Sequence, residues 1–220
     1  SLTTVLLAAV AGSVCAAPAR RAPAIPSPRD RIDAAVTRLI KQADVYWHDG
    51  DYDGVAFCYS LAVELDPQDV ESWTTYGWFL WATMSRRDEA TRTLQKAIRL
   101  NPERWEVYAE MGNLQYHYRQ FLDAAAWFSK AMGRGAPWTT WHQRAHSLEY
   151  AGRHQQCVAT WREIVAKFPK DDAARLNLKR VTEGRFRKEP VMGVEPKPGF
   201  KLEPEPDDLK PEGPQAPGSV

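Results

Sequence analysis

Cysteine, net charge and long apolar stretches are all scarce in this sequence of 220 residues. Three scattered cysteines are too few for a disulfide-stapled scaffold or a four-cysteine zinc site, so stability must come from an apolar core. The 29 basic and 28 acidic residues leave a net charge of +1, which gives no electrostatic basis for binding nucleic acid. The sequence also lacks a glycine-rich phosphate loop, a GxSxG elbow and paired carboxylates, so we expect neither an enzyme nor a cofactor.

The first 16 residues have the composition of a signal peptide. An apolar run extends from Leu2 to Val14, and the small residues Val14 and Ala16 predict cleavage after Ala16. The run is shorter than the roughly 20 residues that span a bilayer. We therefore expect an exported protein, whether periplasmic, bound to the cell envelope or secreted, with no membrane span in the mature chain.

Proline dominates two further segments near the ends. Residues 17–29 are predicted to form a linker, because successive prolines break helices and favour extended chain. Residues 187–220 alternate proline with charged residues and glycine, which predicts a disordered tail. The folded domain is thereby confined to about residues 30–186.

Inside this domain a pattern recurs about every 34 residues. Small or branched residues recur at spacings of 35, 34 and 33, at Ala62, Ala97, Ala131 and Ile164. Each unit ends at a proline, namely Pro67, Pro102, Pro137 or Pro169. Each unit also offers two stretches with the apolar period of a helix, and one unit alone cannot bury both apolar faces. Stacking of the units would bury them, so the pattern predicts an all-α solenoid.

The residues of these units resemble the tetratricopeptide repeat (TPR) family, whose motif reads W-x2-L-G-x2-Y, then A-x3-F-x2-A, then P. The second unit matches at Trp73, Tyr76, Gly77, Leu80, Ala90, Leu94, Ala97 and Pro102. The third and fourth units match at Tyr108, Gly112, Ala124, Phe128, Ala131, Trp141, Ala145, Leu148, Trp161 and Pro169. The resemblance implies a right-handed superhelix of four helix hairpins at about residues 36–68, 70–102, 105–137 and 138–169.

Two features at the ends of repeats refine this prediction. A polar-backed helix over residues 171–184, with Asp171 or Asp172 as its N-cap, is expected to cover the open face of the last hairpin. The second repeat has 13 residues from Gly77 to Ala90 where the others have 12, and we expect the extra residue in the turn around Arg86.

In the TPR family, the first helix of each repeat lines a concave groove through motif positions 2, 5, 9, 12 and 13. Here these positions hold Asp44, Trp47, His48, Trp78, Trp81, Asn113, Tyr116, His117, His142, His146, Glu149 and Tyr150. Family members that clamp a C-terminal carboxylate use lysine, arginine and asparagine there, and only Asn113 matches. The remaining aromatic and imidazole rings indicate stacking on proline, aromatic or sugar rings.

The resemblance therefore implies a non-enzymatic scaffold that binds an extended peptide or protein segment, with the partner and the oligomeric state left open. Tryptophans at packing positions, such as Trp73, Trp141 and Trp161, are expected in the core. The alternative for the groove aromatics is that some of them pack against the next repeat instead of facing solvent.

Three other interpretations stay open at this point. His142, His146 and Glu149 share one helix face and could begin a metal or catalytic site. The segment 49–54 opens like an EF-hand calcium loop, although its position 12 is Ser60 and the same residues suit a turn between helices. The protein could also be a structural subunit of a cell-envelope assembly, with its contacts on the convex face.

Overall fold

The computed structural model describes residues 26–188, and within that range it contains helices and turns but no strand. The predicted signal peptide (residues 1–16) and the proline-rich segment beyond Lys188 lie outside the described residues. Across the described part of the chain, no helix combines the length and the apolar character needed to cross a membrane.

The described residues form stacked helix hairpins, as the repeat pattern predicts. The helices are α1 (Pro28–Asp49), α2 (Tyr52–Leu65), α3 (Val70–Trp78), α4 (Arg87–Leu100), α5 (Trp105–His117), α6 (Phe121–Met132), α7 (Trp138–Tyr150), α8 (His154–Lys167) and α9 (Asp172–Thr182). Odd and even helices pair as α1 with α2, α3 with α4, α5 with α6 and α7 with α8, and each hairpin packs on the next. Helix α9 packs on α8 and covers the last hairpin. The prediction of an all-α repeat fold is confirmed.

Side-chain caps explain where several helices begin. Helix α1 starts at Pro28 because Ser27 and Asp30 form a capping box and proline suits the first helical turn, so the last two residues of the predicted linker are helical. At α9, the carboxylate of Asp171 accepts a hydrogen bond from the amide of Ala174, which makes Asp171 the N-cap.

The segment that resembles a calcium loop is a turn between helices. Gly50 ends α1 with a φ of 75°, in the left-handed region that glycine tolerates best. The Asp51 carboxylate then accepts a hydrogen bond from the amide of Gly54 and so caps α2. This carboxylate therefore has a structural role as the N-cap of α2.

The extra residue of the second repeat lies inside its first helix and not in the turn around Arg86. Helix α3 continues into a π-helical segment, Phe79–Thr83. Together, α3 and this segment contain one residue more than α5 or α7. The prediction for this residue was wrong because sequence spacing alone does not distinguish a longer turn from a wider helical turn. The π-helix carries Trp81, and Trp78 immediately precedes it.

Glycines set the distance between the two helices of each central hairpin. A Cβ atom on Gly112 would lie 2.5 Å from the Phe128 ring, and one on Gly77 would lie 2.5 Å from the Leu94 side chain. Both facing side chains are almost completely buried. Trp73 and Trp161 are likewise buried, as predicted, whereas Trp141 is only partly buried.

We predict that Gly112→Ala lowers the free energy of unfolding by about 1–2 kcal/mol, because the buried Phe128 ring must shift to admit the new methyl group. Gly133→Ala is the matched control. A Cβ there has no neighbour closer than 3.6 Å and the backbone is right-handed helical, so stability should stay unchanged or rise by up to about 1 kcal/mol. Urea denaturation of both variants tests this, and equal stabilities would contradict it.

Candidate functional site

A cavity of about 430 Å³ lies along the first helices of three successive hairpins. We call it the groove cavity. Six of the predicted groove residues line it, namely Trp78, Trp81, Asn113, Tyr116, His117 and His146. The other lining residues, which the motif positions did not indicate, are Arg119, Phe121, Phe128 and Gln143. The structure thus brings half of the predicted set to one place, between the π-helix, α5 and α7.

A chain of hydrogen bonds links three of these lining residues to Glu110 and joins the three hairpins. The indole N–H of Trp81 donates to one carboxylate oxygen of Glu110 over 2.8 Å. The side-chain amide of Asn113 donates to the other oxygen over 2.8 Å. The amide of Gln143 then donates to the Asn113 carbonyl oxygen, again over 2.8 Å. The side chains that line the cavity are therefore held in place by contacts between neighbouring repeats.

Glu110 is a buried carboxylate at the centre of this chain. Burial raises its pKa to about 7, while the hydrogen bonds from Asn113 and Trp81 oppose that rise. Sequence reasoning missed Glu110 and Gln143 because they share a motif position, two residues after Tyr108 and Trp141, that is not counted among the groove positions. The detectable signal was a polar residue at the same place in two successive repeats.

His146 forms part of the cavity wall as a neutral imidazole at pH 7. Burial, with a smaller contribution from the nearby charge of Arg187, lowers its pKa to about 4, while Glu149 opposes the shift. Its Nδ1 atom is 3.5 Å from a carboxylate oxygen of Glu149, within ion-pair distance, yet it makes no hydrogen bond. The wall at this point is thus a ring without charge.

Glu149 and Tyr150, both predicted groove residues, do not line the groove cavity. The Glu149 carboxylate is buried and accepts two hydrogen bonds from the Arg180 guanidinium of α9, at 2.5 and 2.8 Å. Tyr150 packs against the rings of Tyr116 and Phe121, at centroid distances of 6.1 and 5.4 Å. Glu149 therefore holds α9 in place, and Tyr150 packs against two residues that line the cavity.

His142 is also held by α9. Its Nε2 atom lies 2.6 Å from a carboxylate oxygen of Asp171, the N-cap of that helix. Since Asp171 holds His142 and Arg180 holds Glu149, two members of the trio considered for a metal site already have protein partners. Over residues 26–188, no group of three or more histidine, cysteine or acidic side chains is arranged to hold a metal ion.

The predicted groove residues of the first repeat lie apart from the others. Asp44 and Trp47 line a smaller cavity of about 190 Å³, and Trp78 forms part of the wall of both cavities. His48 is exposed, with its Nε2 atom 3.7 Å from a carboxylate oxygen of Asp44. The Trp47 ring contacts the ring of Phe79 at a centroid distance of 5.4 Å.

Comparison with known proteins supports the repeat assignment. No family model matches the chain. Human Tetratricopeptide repeat protein 6 is 41% identical over 49 residues, which are 22% of this chain and 9% of that protein. The solved structure of MamA protein aligns with a TM-score of 0.55 and 18% identity, covering 70% of this chain and 84% of that one. The structure of YrrB, described as a TPR protein with an unusual peptide-binding site, aligns with a TM-score of 0.50 and 15% identity, covering 70% of this chain and 84% of that one.

The stacked hairpins and the likeness to these structures define an all-α helical-repeat protein. More particularly, the protein has the tetratricopeptide-repeat fold, and its motif residues Trp73, Gly77, Leu94 and Ala97 occupy the buried positions of the second hairpin.

We predict that Glu110 makes stability depend on pH. Its folded pKa of about 7 exceeds the ordinary value of 4.5, so between these values the folded protein holds a proton that the unfolded chain has lost. The free energy of unfolding therefore falls as pH rises through this window, by roughly 3 kcal/mol. Glu110→Gln should remove this loss, as urea denaturation at several pH values would measure.

The difference in unfolding free energy between the variant and the parent isolates this effect. His146 acts in the opposite direction, because its folded pKa of about 4 makes stability rise with pH between 4 and 6.5. That contribution is present in both proteins and cancels. A difference that stays constant from pH 4.5 to 8 would contradict the prediction, because Glu110 would then titrate alike in the folded and unfolded protein.

Proposed function

We propose that this protein is a non-enzymatic scaffold that binds an extended peptide or protein segment in the groove cavity. The observation that carries the proposal is the cavity itself, which collects aromatic side chains from three successive hairpins together with the hydrogen-bonded amides of Asn113 and Gln143. Concave sites with aromatic walls and a few fixed polar groups are typical of ligand binding.

The chemistry of the walls favours proline or aromatic side chains in the ligand. The Trp78 side chain is 42% exposed although it is large and apolar, which leaves its ring face open to a partner. Trp81 and Tyr116 add further ring surface to the same cavity. Aromatic faces of this kind stack well on proline and on other rings.

The side-chain amides of Asn113 and Gln143, which line the cavity, suit the backbone of an extended chain. A side-chain amide has two N–H donors and two acceptor lone pairs, so the bonds among Glu110, Asn113 and Gln143 leave hydrogen-bonding capacity for a ligand. Of the lysine, arginine and asparagine side chains that clamp a C-terminal carboxylate in the family, Asn113 and Arg119 line the cavity and lysine does not. We propose that the ligand is an internal segment, because most of the lining side chains are aromatic rings that stack on proline and on other rings. The structure of YrrB, a TPR protein with an unusual peptide-binding site, supports peptide binding by this fold.

Export is part of the proposal, and it rests on the predicted signal peptide in residues 1–16. The scaffold would then meet its partner in the periplasm, at the cell envelope or outside the cell. Intact-mass analysis of protein recovered from the exported fraction tests this, with a chain that begins at Ala17 as the expected result.

We predict that Trp78→Ala separates binding from stability. Peptides selected from a phage-displayed library of random 12-residue sequences on the full chain should bind Trp78→Ala at least about 30-fold more weakly, because an exposed groove tryptophan acts as a hot spot worth on the order of 2 kcal/mol. Its unfolding free energy should hardly change. Trp73→Ala should instead lower the unfolding free energy by roughly 3–5 kcal/mol, since Trp73 is fully buried and donates a hydrogen bond to Pro67.

Phe57 supplies the control for an exposed aromatic ring. It is 62% exposed on α2 and lies outside the groove cavity, so Phe57→Ala should leave peptide affinity unchanged. The proposal fails if Phe57→Ala and Trp78→Ala weaken binding equally. It also fails if Trp78→Ala unfolds the domain as readily as Trp73→Ala, because the ring would then be a core residue.

A further inference from the structure

The chain that follows α9 is fastened to the end of α7. Gly184 turns the backbone with a φ of 72°, and the carbonyl oxygen of Arg185 accepts a hydrogen bond from the Arg180 guanidinium over 2.6 Å. The Phe186 ring stacks on His154 at a centroid distance of 3.7 Å. The amide of Arg187 then donates to the buried Glu149 carboxylate over 2.5 Å. These contacts fix the direction in which the chain leaves the last hairpin.

The chain passes close to a wall residue of the groove cavity as it leaves. The Glu149 carboxylate accepts the Arg187 amide on one oxygen, and its other oxygen lies 3.5 Å from Nδ1 of His146. His146 lines the groove cavity. The Arg187 charge is also close enough to lower the pKa of the His146 imidazole. The described chain, which ends one residue later at Lys188, therefore reaches the His146 side of this cavity.

The next residues have the composition that the groove cavity favours. Residues 190–200 read PVMGVEPKPGF, with three prolines and with apolar side chains at Val191, Met192, Val194 and Phe200. One glutamate and one lysine make this segment neutral. Residues 203–208 read EPEPDD and lack the apolar side chains of the preceding segment, so they match the aromatic walls less well.

The distance to be covered is short for a segment of this length. Packed helices lie about 10 Å apart, so the three helices of the cavity span about 20 Å. Eleven residues of extended proline-rich chain reach about 34 Å at 3.1 Å per residue. Residues 190–200 can therefore cross the whole cavity from the point where the described chain ends.

We propose that residues 190–200 occupy the groove cavity of their own molecule and act as an intramolecular ligand. The inference rests on the proposed function, since it requires a groove that accepts extended chain. A segment tethered beside its site has an effective concentration in the millimolar range. An outside partner must displace it, so the segment lowers the apparent affinity of the groove for every other peptide.

Photocrosslinking in the full chain tests where the segment lies. Val191 or Phe200 is replaced by p-benzoylphenylalanine in separate proteins, and Ala216 is replaced in a control. After irradiation, the first two proteins should crosslink within the monomer to residues 70–83, 105–117 or 138–150, and the control should give at least fivefold less of this product. Adding Trp78→Ala should reduce the yield at least threefold, whereas adding Phe57→Ala should not change it.

A competition measurement gives an independent readout. A synthetic peptide of residues 189–201 is titrated into the full chain and into a variant whose residues 190–200 are replaced by glycine and serine. The peptide should bind the replaced variant at least tenfold more tightly, because its groove is vacant. Equal affinities would overturn the proposal, as would crosslinks to other faces or between two molecules.

The two proposals can fail separately. If library peptides bind in a Trp78-dependent manner while the crosslinks miss the groove cavity, the intramolecular ligand is refuted and the scaffold function stands. If Trp78→Ala alters neither library binding nor crosslinking, the groove is not a binding site and both proposals fall.

Discussion

The structure depends on one packing constraint, the close approach of two helices at a glycine. At Gly112 and at Gly77 there is no room for even a methyl group, because Phe128 and Leu94 occupy the space. This approach fixes the separation of the helices in each central hairpin and hence the stacking of the hairpins. Only with that stacking can Glu110 accept a hydrogen bond from Trp81 of the preceding repeat.

The π-helical segment adapts this regular arrangement to the groove. An inserted residue would shift the following side chains around an α-helix by about 100°, whereas a π-turn absorbs the residue and lets the next hairpin keep its place. Leu80 consequently remains in the core while Trp81 reaches Glu110. Such segments are frequent at functional sites, and here the segment supplies one wall of the groove cavity.

The repeats could be predicted from the sequence alone, but the polar contacts of the site could not. Trp73 and Gly77 could be placed because their motif positions have the same surroundings in every hairpin. Glu110 could not be placed, since its burial depends on partners from its own repeat and the preceding one. Glu149 was predicted as a groove residue, but its partner Arg180 lies 31 positions away on a helix outside the repeat pattern.

Helix α9 both stabilises the end of the solenoid and positions the chain near the groove cavity. Glu149 must be paired because an uncompensated carboxylate at its depth would be costly, and Arg180 provides that pairing from α9. The same carboxylate then accepts the amide of Arg187, so the group that fastens the helix also directs the chain beyond it. Arg187 is thereby brought near His146, whose imidazole is kept neutral mainly by burial. The path of the chain from α9 to Lys188 is thus a consequence of how the solenoid is closed.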